Sequence, residues 1–265
     1  MTSCPILMYH AVARAQSSVE DSLCCDPQTF AAHMDYLHRH GYQVVPLARL
    51  VRAVHAGEDL PDRCVVVTLD DGLDCSCVTA LPIFERFGFR ATVFVVSGLV
   101  GRTNEWLRPA GFPSRSMLSV TDLRSLAAAG WDIGSHTASH PWLSKLAPEA
   151  ARAEIGDSKA RLEDMLGQPV VHFAYPYGDY TAAVRDFVVE AGYAAACSTR
   201  WGRRHTKRQL FALRRVEING QDSLLQFAVK LRIGTHHVPP LAEARSLVRQ
   251  GLEAIGCLQP RYPAD

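Results

Sequence analysis

The chain has 265 residues, 48% of them hydrophobic, with 28 Lys and Arg against 27 Asp and Glu. That length suffices to bury one large α/β core, so a single domain over residues 1–265 is expected. The charge balance gives no electrostatic case for binding nucleic acid or an anionic membrane, and no apolar run approaches the ~18 residues that would span a bilayer.

The first stretch, "MTSCPILMYHAV", has neither the basic flank nor the long apolar segment of a secretion leader, so a soluble, cytoplasmic protein is expected. Within it "PILMY" is a candidate strand that runs into His10. "DPQTFAAHMDYLHRHG" follows helix grammar: Asp26 caps, Pro27 takes the first turn, Phe30, Met34 and Leu37 share a face, and Gly41 stops it. His33, His38, His40 and His55 lie on helical or loop patterns with no carboxylate partner nearby in sequence, and are read as structural.

The next strand, "CVVVTL", ends on Asp70, Asp71 and Gly72. One carboxylate there could cap a following helix. Two side by side repel unless a cation holds one and leaves the other free as a base. Cys75 and Cys77 form C-x-C with no second pair at zinc-ribbon spacing, which makes them poor ligand candidates. Cys4, Cys64 and Cys197 sit inside apolar runs, where reduced cysteine behaves as a small hydrophobe.

After the strand "ATVFVV", residues 98–118 are irregular, and so long a loop in a compact domain is usually a lid or a binding wall; Asn104, Trp106 and Arg108 are its substrate-side candidates. "SVTDLRSLAAAG" opens on a capping-box pattern from Ser119 to Asp122 and closes at Gly130. The strand "WDIGS" leads into "GSHTASHPWLSKL", which sets His136 and His140 four residues apart, on one side of a helical turn. One carboxylate of the earlier pair and these two imidazoles make the three-ligand set with an open position typical of catalytic zinc; cobalt and nickel suit the same donors.

"APEAARAEIGDSKARLEDMLG" predicts a longer helix with Ile155, Leu162 and Leu166 toward the core. "HFAYPYGDY" ends a further strand on a Pro-Tyr-Gly turn, which is either a plain turn or a rigid one that aims the Tyr177 backbone N–H at a developing oxyanion. The helix "YTAAVRDFVVEAG" and the strand "YAAAC" follow. "RWGRRHTKR", Arg200 to Arg208, reads as a solvated basic loop in preference to a phosphate-binding patch, and "FALRRVEI" as a late strand. The alternation of strands and helices points to a parallel sheet covered by helices.

From "ILMYHAV" through "TLDDG", "RATVFVV", "GWDIGSHTASHPWLS" and "FAYPYG" to "LRRVEI", motif order and spacing resemble the polysaccharide deacetylases of carbohydrate esterase family four, which include the nodulation-type chitooligosaccharide deacetylases. The resemblance implies a distorted (β/α) barrel of seven or eight mostly parallel strands with its site at their C-terminal ends. It implies hydrolysis of an N-acetyl group on an amino sugar, with Asp70 as base, Asp71, His136 and His140 on the metal, and the Tyr177 N–H on the oxyanion.

The pattern departs from the family in two places. Many members carry an Arg two residues before the Pro of the third motif, where it orients the catalytic Asp, whereas this chain has Ala174. Arg215 is the first candidate to steady Asp70 instead, Arg214 the second. The late Leu-x-His that often supplies the general acid is missing, which leaves His10 as first choice, with His205 and the His236–His237 pair behind it. The expected partner is an N-acetylated sugar or a glycan intermediate of surface-glycan biosynthesis. Two alternatives stand beside this: a related metal-dependent amidase acting on a formamide or other non-acetyl C–N bond, and a non-catalytic carbohydrate-binding relic, which the intact Asp70, Asp71, His136 and His140 argue against. No sequence feature bears on oligomeric state.

Overall fold

The computed structural model describes residues 1–238. Its central strands are β1 (Ile6–Tyr9), β2 (Gln43–Val44), β3 (Cys64–Leu69), β4 (Thr92–Val95), β5 (Asp132–Ser135), β6 (His172–Ala174), β7 (Ala195–Cys197) and β8 (Val216–Glu217). They are joined by α1 (Pro27–Arg39), α2 (Leu47–Ala56), α3 (Leu81–Glu85), α4 (Val120–Ala128), α5 (Pro148–Leu166) and α6 (Ala182–Glu190), with α7 (Leu224–Ile233) after β8. The sheet order is β7-β6-β5-β4-β3-β1-β8, with β2 alongside β3, and every pairing is parallel. All six residues of β3 are buried, as a parallel strand covered on both faces requires.

The sheet curls because one short segment meets both of its edges: Leu213 bridges to Cys197 of β7, and Val216 pairs with Leu7 of β1. This is the distorted barrel that the family resemblance implies. The late strand "FALRRVEI" is regular only over Val216–Glu217, because residues 207–212 form a 3-10 turn before the segment crosses between the two edges.

Alternation along the strands divides the core in two. Leu7, Tyr9, Val65, Val67 and Leu69 face outward onto Phe30, Met34 and Leu37 of α1. Ile6, Cys64, Val66, Phe94, Ala174, Cys197 and Leu213 pack together inside, with Leu47 and Leu50 of α2. Gly134 is required here, since a Cβ would lie 2.4 Å from the Phe94 ring. By the same parity Thr68 and Asp70 continue the interior row.

Helix ends follow the expected chemistry. The Asp26 side chain accepts the Gln28 N–H ahead of Pro27, and the Ser119–Asp122 capping box is formed. Three helices, α2, α3 and α7, are not among those the sequence patterns predict. The start of α2 follows Pro46 with no side-chain cap, so no start signal stands in the sequence. The start of α7 does carry one, a Ser223–Gln226 capping box, with Gly234 closing the helix. The seven cysteines among the described residues are all free, and no described helix is long and apolar enough to cross a membrane.

Candidate active site

Asp70 follows β3 directly, and its backbone N–H extends the ladder to the Tyr9 carbonyl. Its carboxylate lies in the barrel interior, gripped by both terminal nitrogens of Arg215 at 2.6 and 2.7 Å. The guanidinium is itself completely buried; its Nε donates to the Ser198 carbonyl and Nη1 reaches the Thr68 hydroxyl. Burial alone would raise the Asp70 carboxyl, but the Arg215 charge and hydrogen bonds, with His136, outweigh it and hold the group below the ordinary carboxylate range.

At Asp71 the chain turns into the left-handed region, φ 72°, and Gly72 follows at φ 79°, where a Cβ would lie 3.1 Å from Val95 Cα. The reversal turns Asp71, which strand alternation would face outward with Leu69, toward the ends of β5 and β6. Its Oδ1 lies 3.6 Å from His136 Nε2 and 3.4 Å from His140 Nε2. Burial again raises this carboxyl, and the His140 hydrogen bond and charge more than reverse it, so it stays ionised.

The two histidines sit on the loop after β5, and that loop is tied down on three sides. The Ala138 and Ser139 N–H groups and the Ser139 hydroxyl all donate to the Glu154 carboxylate of α5. The Ser97 and Gly98 N–H groups donate to the Thr137 and Ala138 carbonyls, an approach only a glycine at 98 permits, since a Cβ there would lie 2.5 Å from the Ala138 oxygen. The Thr137 hydroxyl accepts the His140 N–H. Asp71, Thr137, His140 and Tyr177 are the four non-glycine residues with positive φ among those described. All four lie at this site, and each left-handed residue costs roughly 1–2 kcal/mol.

The three donors fit a divalent metal by their chemistry. His136 Nδ1 lies 2.7 Å from the Ala174 carbonyl, which can only accept. The proton is therefore on Nδ1, and Nε2 presents its lone pair toward Asp71. Burial, followed by the His140 charge, lowers the His136 imidazole to about 4 and keeps it neutral, the form a metal binds. One ligand atom from each of Asp71, His136 and His140 lies within 4.8 Å of the others. Donors about 2 Å from a common centre in tetrahedral array stand about 3.3 Å apart, close to the Asp71 spacings.

An aromatic wall surrounds His140: Trp106 stacks on it at 4.9 Å, Tyr177 meets it edge-on at 4.6 Å, and Trp142 stacks on Tyr177 at 4.2 Å. The Tyr177 N–H makes no backbone hydrogen bond among the described residues. His10 follows β1, half-buried, and lines a small pocket with Asp71, Leu107 and Phe112. It is close enough for its charge to lower both aspartates.

Several sequence candidates lie elsewhere. His205 Nε2 donates to the Cys4 carbonyl, at the opposite end of β1 from His10. His236 is held between the Glu217 N–H and the Thr199 carbonyl, and His237 is exposed. Arg214 lines a separate cavity with other arginines. Residues 98–118 are not an open lid: they dock on the Asp71 turn through the Leu73–Met117 bridge and the Leu118 N–H to the Gly72 carbonyl. The Asn104 side chain is spent inside that segment, on the Pro113 carbonyl and Arg115 N–H, and Arg108 is exposed. Glu154 and Ser198 are not among the sequence candidates; one is mid-helix, the other acts through its carbonyl, and neither leaves a mark in sequence.

Residues 57–196 match the family model described as polysaccharide deacetylase. The YxkH protein of Bacillus subtilis (strain 168) is 27% identical over 215 residues, 81% of this chain and 71% of that one. The chitooligosaccharide deacetylase of Bradyrhizobium sp. (strain ANU 289) is 26% identical over 155 residues, 58% of this chain and 63% of that one. Among solved structures, the Streptococcus pyogenes deacetylase PplD, in complex with acetate, superposes with a TM-score of 0.75 at 25% identity, over 87% of this chain and 98% of that one.

Proposed function

Since this chain belongs to the polysaccharide deacetylase family, we propose that it hydrolyses the N-acetyl group of an amino sugar within a glycan or glycan precursor, as one catalytic domain over residues 1–265. The observation that carries the reading is the pairing of two adjacent carboxylates with different partners: Asp70 locked to Arg215, and Asp71 turned toward two imidazoles. Asp71, His136 and His140 would hold a divalent metal, zinc first and cobalt or nickel by the same donor set. Such a metal, when bound, supplies Lewis acidity that polarises the acetyl carbonyl and acidifies water.

The remaining chemistry belongs to the chain. Asp70, ionised and fixed in rotation by the Arg215 fork, takes the proton from the attacking water. The Tyr177 N–H, fixed by the left-handed turn and by the Trp142 stack, donates to the oxyanion of the tetrahedral intermediate. His10, on the other side of Asp71, protonates the departing amine. The aromatic wall formed by Trp106 and Tyr177 shields His140 from water.

The test is acetate release from free, nucleotide-linked and oligomeric N-acetylated sugars by zinc-reconstituted protein, beside Asp70→Asn. Acetate that depends on Asp70 supports the reading. A zinc-loaded protein that releases no acetate from these sugars but does release formate from their N-formyl analogues, or no acid from either, would replace it with the non-acetyl amidase or the binding-only alternative.

A further inference from the structure

A second cavity, of about 410 Å³, lies at the end of the barrel away from Asp70 and is lined by Arg203, Arg204, Arg214 and Arg232 beside Trp201. Its position follows from the chain: the Arg203 carbonyl accepts the Cys4 N–H ahead of β1, whereas His10 lies beyond the other end of that strand. At the rise of an extended strand Cys4 and His10 lie roughly 20 Å apart. Whatever binds here does not react at Asp70.

The arginines come from three separate stretches of chain, and the backbone makes room for them. A Cβ on Gly202 would lie 2.6 Å from Arg214 Cδ, and one on Gly234 would lie 2.9 Å from Arg203 Cγ. Part of the cluster has a structural explanation. Arg203 donates to the Arg232 carbonyl in the last turn of α7 and to the Ser3 hydroxyl, so it caps a helix C-terminus. That end carries only about half a negative charge, against four guanidiniums. No acidic side chain lines the cavity, and none of the four is ion-paired among the described residues. Arg204 and Arg232 are exposed, and their guanidiniums are free to close on a ligand.

We propose that this cavity binds phosphate groups, two adjoining ones of a diphosphate-like ligand or the head groups of an anionic lipid surface. Guanidinium forks match phosphate oxygens in pairs. A cluster of four positive charges is balanced by a multiply charged anion, which a single carboxylate is not. Trp201 and Ile233, 57% and 63% exposed beside the arginines, give either source an apolar edge to lie against.

The experiment titrates the full chain with inorganic pyrophosphate by calorimetry, reads Trp201 fluorescence in parallel, and measures co-sedimentation with phosphatidylcholine vesicles with and without phosphatidylglycerol. Saturable pyrophosphate binding at one site per chain identifies a soluble phosphate ligand; sedimentation only with phosphatidylglycerol identifies a lipid surface. In either arm Arg204→Gln/Arg232→Gln is expected to weaken binding at least about tenfold, the scale of losing charge-assisted hydrogen bonds. Arg204→Lys/Arg232→Lys falls between, because it keeps charge without the fork, and it decides the matter if the glutamine variant fails to fold. Arg39→Gln/Arg52→Gln, which removes the same charge from α1 and α2, should bind as the parent does. Absence of binding in both arms, or equal weakening in that control, overturns the proposal.

Discussion

Arg215 meets Asp70 through two hydrogen bonds, 2.6 and 2.7 Å long, between residues 145 apart in the chain. Both side chains are buried, so neither charge has water to fall back on. Replacing Arg215 by Ala leaves an uncompensated carboxylate in the barrel and is expected to cost about 3–5 kcal/mol of stability. Arg215→Lys keeps the charge but loses the fork, so the fold should survive while kcat falls and KM holds. Denaturant melts and steady-state kinetics on the two variants separate the effects.

The metal reading predicts one divalent ion per chain. Asp71→Asn, His136→Ala and His140→Ala should each lower bound metal after dialysis, measured by elemental analysis. Arg215→Lys and Asp70→Asn should retain it. Chelation of the parent protein should abolish hydrolysis, and zinc or cobalt should restore it. Full metal content in all three ligand variants would remove Asp71, His136 and His140 from that role.

Glu154 braces the loop that carries His136 and His140, its carboxylate accepting the Ala138 and Ser139 N–H groups at 2.9 Å each. Glu154→Ala frees these donors and removes the brace from a loop that holds two left-handed residues, Thr137 and His140. Metal affinity should fall by on the order of 10–100-fold. Glu154→Gln, which retains one acceptor oxygen, should lie between. Chelator competition measures both.

Acid sensitivity of the fold should trace in part to His33, which packs in the outer core against Tyr9. Its ring stacks on Phe227 at 4.1 Å and shares a hydrogen bond with the Tyr9 hydroxyl, and burial lowers it from 6.5 to about 4. Between those values the unfolded chain binds the proton that the folded chain refuses. Its contribution is therefore present above pH 6.5 and is lost as pH falls toward 4, on the order of 3 kcal/mol in all. His33→Leu should flatten the pH dependence of unfolding across that window, and an unchanged slope would remove His33 from the account.

Much of this protein is written locally. Alternating strands and helices, the Asp26 and Ser119 caps, and the Asp70–Asp71 and His136–His140 spacings are short-range patterns, so a parallel sheet covered by helices and the candidate donor set are legible in the amino-acid sequence, whereas the closed barrel is implied only by the family resemblance. Less legible are elements without punctuation, such as α2, whose start has no side-chain cap. The pattern of "FALRRVEI" predicts a regular late strand, but that stretch spends its residues crossing between two sheet edges.

By itself, the sequence determined which residue types end each strand, because those choices obey the two-residue alternation of a strand and the turn preferences of its neighbours. Only the tertiary structure decided which partner each of them meets. Arg215 or Arg214, His10 or His205, Asn104 facing a substrate or facing its own loop: each pair is equivalent in composition and local pattern. They are separated by barrel closure, which sends residue 215 inward to Asp70, leaves 214 among the outer arginines, and puts His205 at the far end of the first strand. Such contacts span more than a hundred residues, and no local periodicity encodes them.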